Sequence, residues 1–109
     1  MVTKILNKAK VKHRESRYPS PPHPESYAVW HDDKEVGGAD GANLQIDHFY
    51  TVELYESKPD PTTESAIEKE LDAAGIEYSK QARYWIREEQ LYQVIYEFNY
   101  IEKRRITNG

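Results

Sequence analysis

The sequence predicts an α+β fold: a single, mainly antiparallel sheet of about four strands, with one long and one short helix packed on one face. Three stretches carry that expectation. In Leu91–Ile101, LYQVIYEFNYI, the residues Tyr92, Val94, Tyr96, Phe98 and Tyr100 alternate with Gln93, Glu97 and Asn99, Ile95 being the main exception. Within Asp47–Glu56, His48, Tyr50, Val52 and Leu54 alternate with Phe49, Thr51, Glu53 and Tyr55. A period of two with β-branched and aromatic residues marks half-buried strands. Between them, Pro61–Ala74 sets Ile67, Leu71 and Ala74 on one helical stripe, with Glu64, Glu68, Lys69, Glu70 and Asp72 facing water.

The remaining elements follow in chain order. Val2, Ile5, Leu6 and Ala9 share one face of a helix of little more than two turns, too short to hold without tertiary packing. Val11–Tyr18 is polar and charged, which fits an edge strand. Four prolines between Pro19 and Pro24 then impose an extended, stiff connector. Tyr27–His31 reads as a short strand, and Asp32 and Asp33 begin a turn. The stretch Lys34–Asn43, KEVGGADGAN, reads as a mobile loop.

Asp60 suits a helix N-cap with Pro61 at the first helical position, and Gly75 suits the position just past the end. Ile76–Ser79 leads back to the sheet, and Ala82–Ile86 alternates as a third strand. Arg87–Gln90 has the length of a hairpin connection into Leu91. At about 3.3 Å per residue the Leu91–Ile101 strand runs roughly 35 Å, and its apolar face argues for a central place in the sheet.

One domain is the natural expectation for 109 residues. It divides into a basic, Pro-rich segment (1–26), a sheet-and-helix body (27–101) and a basic tail (102–109). The apolar fraction is 38% and the mean hydropathy −0.92, a thin core that association would help to stabilise. Net charge is −4 but uneven. Residues 1–17 hold six basic side chains against Glu15, +5, and residues 102–109 hold three against Glu102, +2, leaving −11 for the middle. Basic ends on an acidic body suit steering toward a partner, head-to-tail contact between copies, or simply solvated termini.

Composition excludes several chemistries. There is no cysteine, hence no disulfide, thiol nucleophile or Cys-based zinc site. No apolar run approaches the roughly 20 residues of a membrane span, and the N-terminus has no signal-type apolar segment, so a cytoplasmic location is expected. His13, His23, His31 and His48 show no metal-binding spacing, and His31-Asp32-Asp33 is explained equally by a turn. No GxSxG, GxGxxG or GxxxxGK[ST] pattern occurs, and DGAN lacks the carboxylate series of a calcium loop. No catalytic, cofactor-binding or metal site is expected. An aromatic sheet could stack nucleotides, but this one is acidic and its aromatics are needed as core.

The runs VELYESKPD (Val52–Asp60), IEKELDAAGIEY (Ile67–Tyr78) and EEQLYQVIYEF (Glu88–Phe98), preceded by ESYAVWHDD and GADGAN, resemble small virion proteins of tailed phages and prophages of Gram-positive bacteria. These are the tail-terminator, tail-completion or head–tail joining proteins, often labelled minor capsid or minor tail proteins. The resemblance covers roughly Tyr27 to Phe98. It implies a structural protein and not an enzyme: a ring, often a hexamer, at the head-proximal end of the tail tube. Its partners would be copies of itself, the tail tube protein and the head connector proteins, with no specific nucleic acid and no membrane. It would be a virion component assembled in the bacterial host cytoplasm. The same resemblance implies a small sheet with helices on one face. A head-side connector adaptor or minor capsid protein is the alternative within this class; a small nucleic-acid-binding regulator is the alternative outside it. Contact candidates are the basic N-terminal residues Lys4, Lys8, Lys10, Lys12 and Arg14, with Lys34, Glu35, Gly37, Gly38, Asp40, Gly41 and Asn43 of the glycine-rich stretch.

Overall fold

The computed structural model describes residues 1–22, 24–37 and 43–105, the side chains of Asn43 and Arg105 excepted. Its elements are α1 (Val2–Lys8), β1 (Lys12–Glu15), β2 (Tyr27–Asp32), β3 (Glu35–Gly37), β4 (Asn43–Glu56), α2 (Pro61–Ala73), β5 (Tyr78–Lys80), β6 (Tyr84–Ile86) and β7 (Leu91–Arg105).

The class is α+β, but the sheet is not the expected four-stranded, mainly antiparallel one. Seven strands form one mixed sheet in the order β1-β2-β4-β7-β5, with β3 also on β4 and β6 also on β7. The unexpected strands, β3 and β5, are three residues long. Such strands carry too few residues to show a period; pairing with a long neighbour holds them. β3 falls inside the stretch expected to be a loop, where Glu35, Val36 and Gly37 pair with Asp47, Ile46 and Gln45. β5 falls where only a lead-in was expected, pairing Tyr78–Lys80 with Phe98–Tyr96. The mixed character comes from β1, which runs parallel to β2 because the Pro-rich connector carries the chain back before β2 begins.

Two long strands form the spine. β4 and β7 pair antiparallel over fourteen successive positions, from Asn43↔Arg105 to Glu56↔Tyr92. β4 therefore begins four residues before the predicted Asp47, and β7 runs on through residues expected to be a basic tail. Their even-numbered residues share one face: Tyr50 opposes Phe98, Val52 opposes Tyr96 and Leu54 opposes Val94. Ala28 of β2 extends the row. On this face Val2, Ile5 and Leu6 of α1 and Ile67 and Leu71 of α2 complete the main core. A smaller cluster on the opposite face gathers Tyr27, Val29 and Leu91, with Tyr18 and Tyr55 against it.

Helix ends explain how the chain enters and leaves this core. Asp60 caps α2, Oδ1 accepting from Thr63 N at 3.1 Å and Oδ2 accepting from Thr63 Oγ1 at 2.6 Å. Gly75, at φ +69°, ends it: Gly75 N donates to Asp72 O and Ile76 N to Leu71 O, and Ile76 packs on the core. α1 ends in the same way, Lys10 N donating to Asn7 O and Val11 N to Leu6 O, but a lysine stands at the left-handed position, φ 60°. None of the described helices is long and apolar enough to cross a membrane.

Candidate functional site

Helices cover only part of the sheet. Beyond Tyr50 and Phe98, strands β3, β4 and β7 continue as a three-stranded arm, and the molecule measures 50 × 28 × 21 Å. This arm gathers exposed apolar side chains, Val36 at 61% and Ile101 at 56%, beside Lys103 and Arg104.

At the base of the arm His48 is buried between two carboxylates. Its Nδ1 lies 2.8 Å from Asp32 Oδ2 and its Nε2 lies 2.9 Å from Glu102 Oε1. Asp32 comes from β2, His48 from β4 and Glu102 from β7, so one imidazole ties three strands together. The ring stacks on Tyr50 at 5.2 Å and 3°. Burial pushes the Tyr50 hydroxyl up to about 12, and the Asp32 and Glu102 charges add to the effect. Arg104 pairs with Glu102 on its outer side.

A second polar cluster sits where β4 meets α2. Glu56 is fully buried, accepting from Arg83 Nε at 3.2 Å and from Asp60 N at 3.2 Å. Glu64, also buried, accepts from Arg83 Nη2 at 2.7 Å and pairs with Lys80 Nζ at 2.9 Å. Lys80 also donates to Glu68, which accepts from the Tyr96 hydroxyl at 2.8 Å. Burial, and then the neighbouring Glu64, push the Glu56 carboxyl up to about 7. Burial also opposes charge on Glu64, but hydrogen bonds from Glu56, Arg83 and Lys80 outweigh it and hold Glu64 below the ordinary value. Two cations thus serve the carboxylate pair, Arg83 donating to both Glu56 and Glu64 and Lys80 to Glu64. Every carboxylate here is engaged by the chain's own donors, an arrangement that braces α2 against the sheet. Among the described residues no group of three or more His, Asp or Glu side chains is placed to hold a metal ion.

The structure divides the expected contact residues into two sets. Lys34 connects β2 to β3, Glu35 and Gly37 lie in β3, and Asn43 opens β4, so these four belong to the arm. Gly38, Asp40 and Gly41 lie outside the described residues. The N-terminal set is elsewhere, on α1 and on β1, whose Lys12 pairs with Tyr27 at the far end of β2. Lys4 and Lys8 are exposed on α1, and Lys10 terminates it. Lys12 is bound to Glu25 at 2.9 Å, and the Arg14 guanidinium lies 5.7 Å from the Tyr18 ring centroid.

Sequence reasoning missed the two clusters. A signal was present: the alternation along β4 points His48 and Glu56 to the same face as Tyr50, Val52 and Leu54, and a polar residue in an inward register needs a partner. The partners Glu102 and Arg83 lie 54 and 27 residues away and follow only from the sheet register.

No family model matches the chain, and no curated protein matches it. Solved structures do. One similar chain belongs to a "Virion of native gene transfer agent (GTA) particle", with 10% identity, 87% of this chain and 81% of that chain covered, and a TM-score of 0.56. Another comes from a study titled "Structural insights into the molecular mechanism of H-NOX activation", with 7% identity, 72% and 38% covered. Its TM-score of 0.28 is too low to indicate a shared fold. The first likeness shows that the fold described above also occurs in a chain of a gene transfer agent virion.

Proposed function

We propose that this chain is a structural protein of a phage-like virion that completes the tail and joins it to the head, working as a ring at the head-proximal end of the tail tube. The observation that carries the reading is the fold it shares, over most of both chains, with a chain of the gene transfer agent virion. An elongated body with an arm beyond its core supports it, because such an arm offers contact surface that the monomer itself does not use. In this reading the exposed arm and the basic surface of α1 meet neighbouring subunits, the tail tube protein or the head connector. The protein has no catalytic role in it and needs no cofactor, and it is assembled in the host cytoplasm as a virion component.

The test is mixing with purified virion parts. The tagged protein should bind isolated tails at the head-proximal end, seen by negative-stain imaging, and should restore joining of heads to tails that lack it. Binding to heads alone would instead make it a connector-side adaptor. Salt-dependent binding to DNA, without binding to either particle, would replace the virion reading with a nucleic-acid-binding one.

A further inference from the structure

β7 has an open edge. On one side it is paired along its length by β4; on the other, β6 pairs with Leu91–Gln93 and β5 with Tyr96–Phe98. From Asn99 to Arg105 no described strand lies on that side. Ile95 O accepts from Gln81 N at 2.9 Å, so the odd-numbered residues of β7 turn their N–H and C=O outward. Among the described residues, Ile101, Lys103 and Arg105 therefore have no main-chain partner on that side. The edge opens onto a groove of about 780 Å³ lined by Ala74–Ser79 and Glu97–Ile101.

The charge along this edge is polar: Glu77 and Glu97 flank the groove, whereas Lys103 and Arg104 lie toward the tip. With Lys103 on the axis, an identical strand running antiparallel sets Glu102 against Arg104 of the second copy at two symmetric positions. Topology removes the head-to-tail alternative. β2 and β3 lie in line along β4, so a neighbour's β3 paired in parallel on β7 would drive its β2 into the place held by β5 and β6.

We propose that two copies of this chain pair through the Asn99–Arg105 edge of β7, antiparallel about a two-fold axis, forming one continuous sheet with both helical layers on the same face. This inference does not depend on the virion reading. Centring the axis on Lys103 sets Glu102 opposite Arg104 of the second copy at both symmetric positions, whereas Glu102 cannot lie on the axis because even-numbered residues turn their main-chain groups toward β4. Lys103 then meets its counterpart across the wider, hydrogen-bonded spacing, where the long side chains can diverge. Over residues 101–105 the pairing forms about six main-chain hydrogen bonds.

The absence of cysteine makes the test direct. At an axial hydrogen-bonded pair the Cα atoms lie about 5.5 Å apart, within disulfide range. Mild oxidation of Lys103→Cys should give a covalent dimer, and Ser65→Cys, exposed on α2, should not. By light scattering the unmodified protein should approach twice 12.8 kDa as concentration rises. Lys103→Pro removes an outward N–H and spares the β4 ladder, so it should give a monomer with an unchanged circular dichroism spectrum. A protein that stays monomeric at high concentration, or Lys103→Cys that links no better than Ser65→Cys, overturns the proposal. So does a larger assembly untouched by a folded Lys103→Pro variant.

Discussion

Replacing Glu56 with glutamine should shift stability in favour of the variant as pH rises from mild acid to mild alkali. Glu56 is fully buried, and Glu64 beside it holds the shorter contacts to Arg83 and Lys80. The unfolded chain releases the Glu56 proton near the ordinary value of 4.5 and the folded chain near 7. Between those values the folded form holds the extra proton, so its stability falls as pH rises through the window. A gap of about 2.5 pH units corresponds to about 3 kcal/mol, present below pH 4.5 and lost above pH 7. Glutamine has the shape of the protonated acid and cannot ionise. Its amide nitrogen cannot accept the N–H that one Glu56 oxygen takes from Asp60 or Arg83, so Glu56→Gln should lie about 1–3 kcal/mol below the parent near pH 5 and recover by up to about 3 kcal/mol at pH 8. Urea unfolding of both proteins at the two pH values gives the comparison, and taking the difference cancels the titrating groups remote from the Glu56–Glu64 pair. If the variant is instead several kcal/mol less stable at pH 8, Glu56 is an ionised partner of Arg83 and burial does not hold its proton.

Three further changes test the packing. Lys10→Gly should stabilise by about 0.5 to 1 kcal/mol, because lysine holds a left-handed conformation at the end of α1 that glycine adopts without strain; the urea midpoint reads it. Asp60→Ala should cost about 1 kcal/mol by removing the α2 cap, with an additional loss where Ser26 Oγ donates to the same carboxylate at 2.7 Å. Leu71→Ala should cost about 3 kcal/mol, since Leu71 is fully buried between α2 and the sheet, and a loss under 1 kcal/mol would mean that α2 does not seal the core.

The long elements were legible because each carries its own periodicity. Tyr92, Val94, Tyr96, Phe98 and Tyr100 announced β7, and Asp60 with Gly75 bracketed α2, through local steric and hydrogen-bonding preferences that need no knowledge of the rest of the chain. The same alternation stops at Ile101, and residues 102–105 remain extended because β4 supplies their main-chain partners. Of the contact residues, Lys34, Glu35 and Gly37 were named from composition, but their place on an arm follows from pairing with β4.

By itself the sequence determined the alternation along β4 and β7, the Ile67 and Leu71 stripe of α2, where the long helix begins and ends, and the exclusion of thiol chemistry. It set Glu64 in water, whereas Glu64 is buried against Arg83 and Lys80, and Ala74 on the stripe, whereas Ala74 is exposed. Tertiary structure alone decided the seven-stranded mixed sheet, the partners of His48 and Glu56, and the open edge beyond Phe98. The physical reason is the range of the forces. Side-chain periodicity and helix caps act over a few residues, whereas β-sheet hydrogen bonds and buried ion pairs join residues whose proximity only the completed register creates.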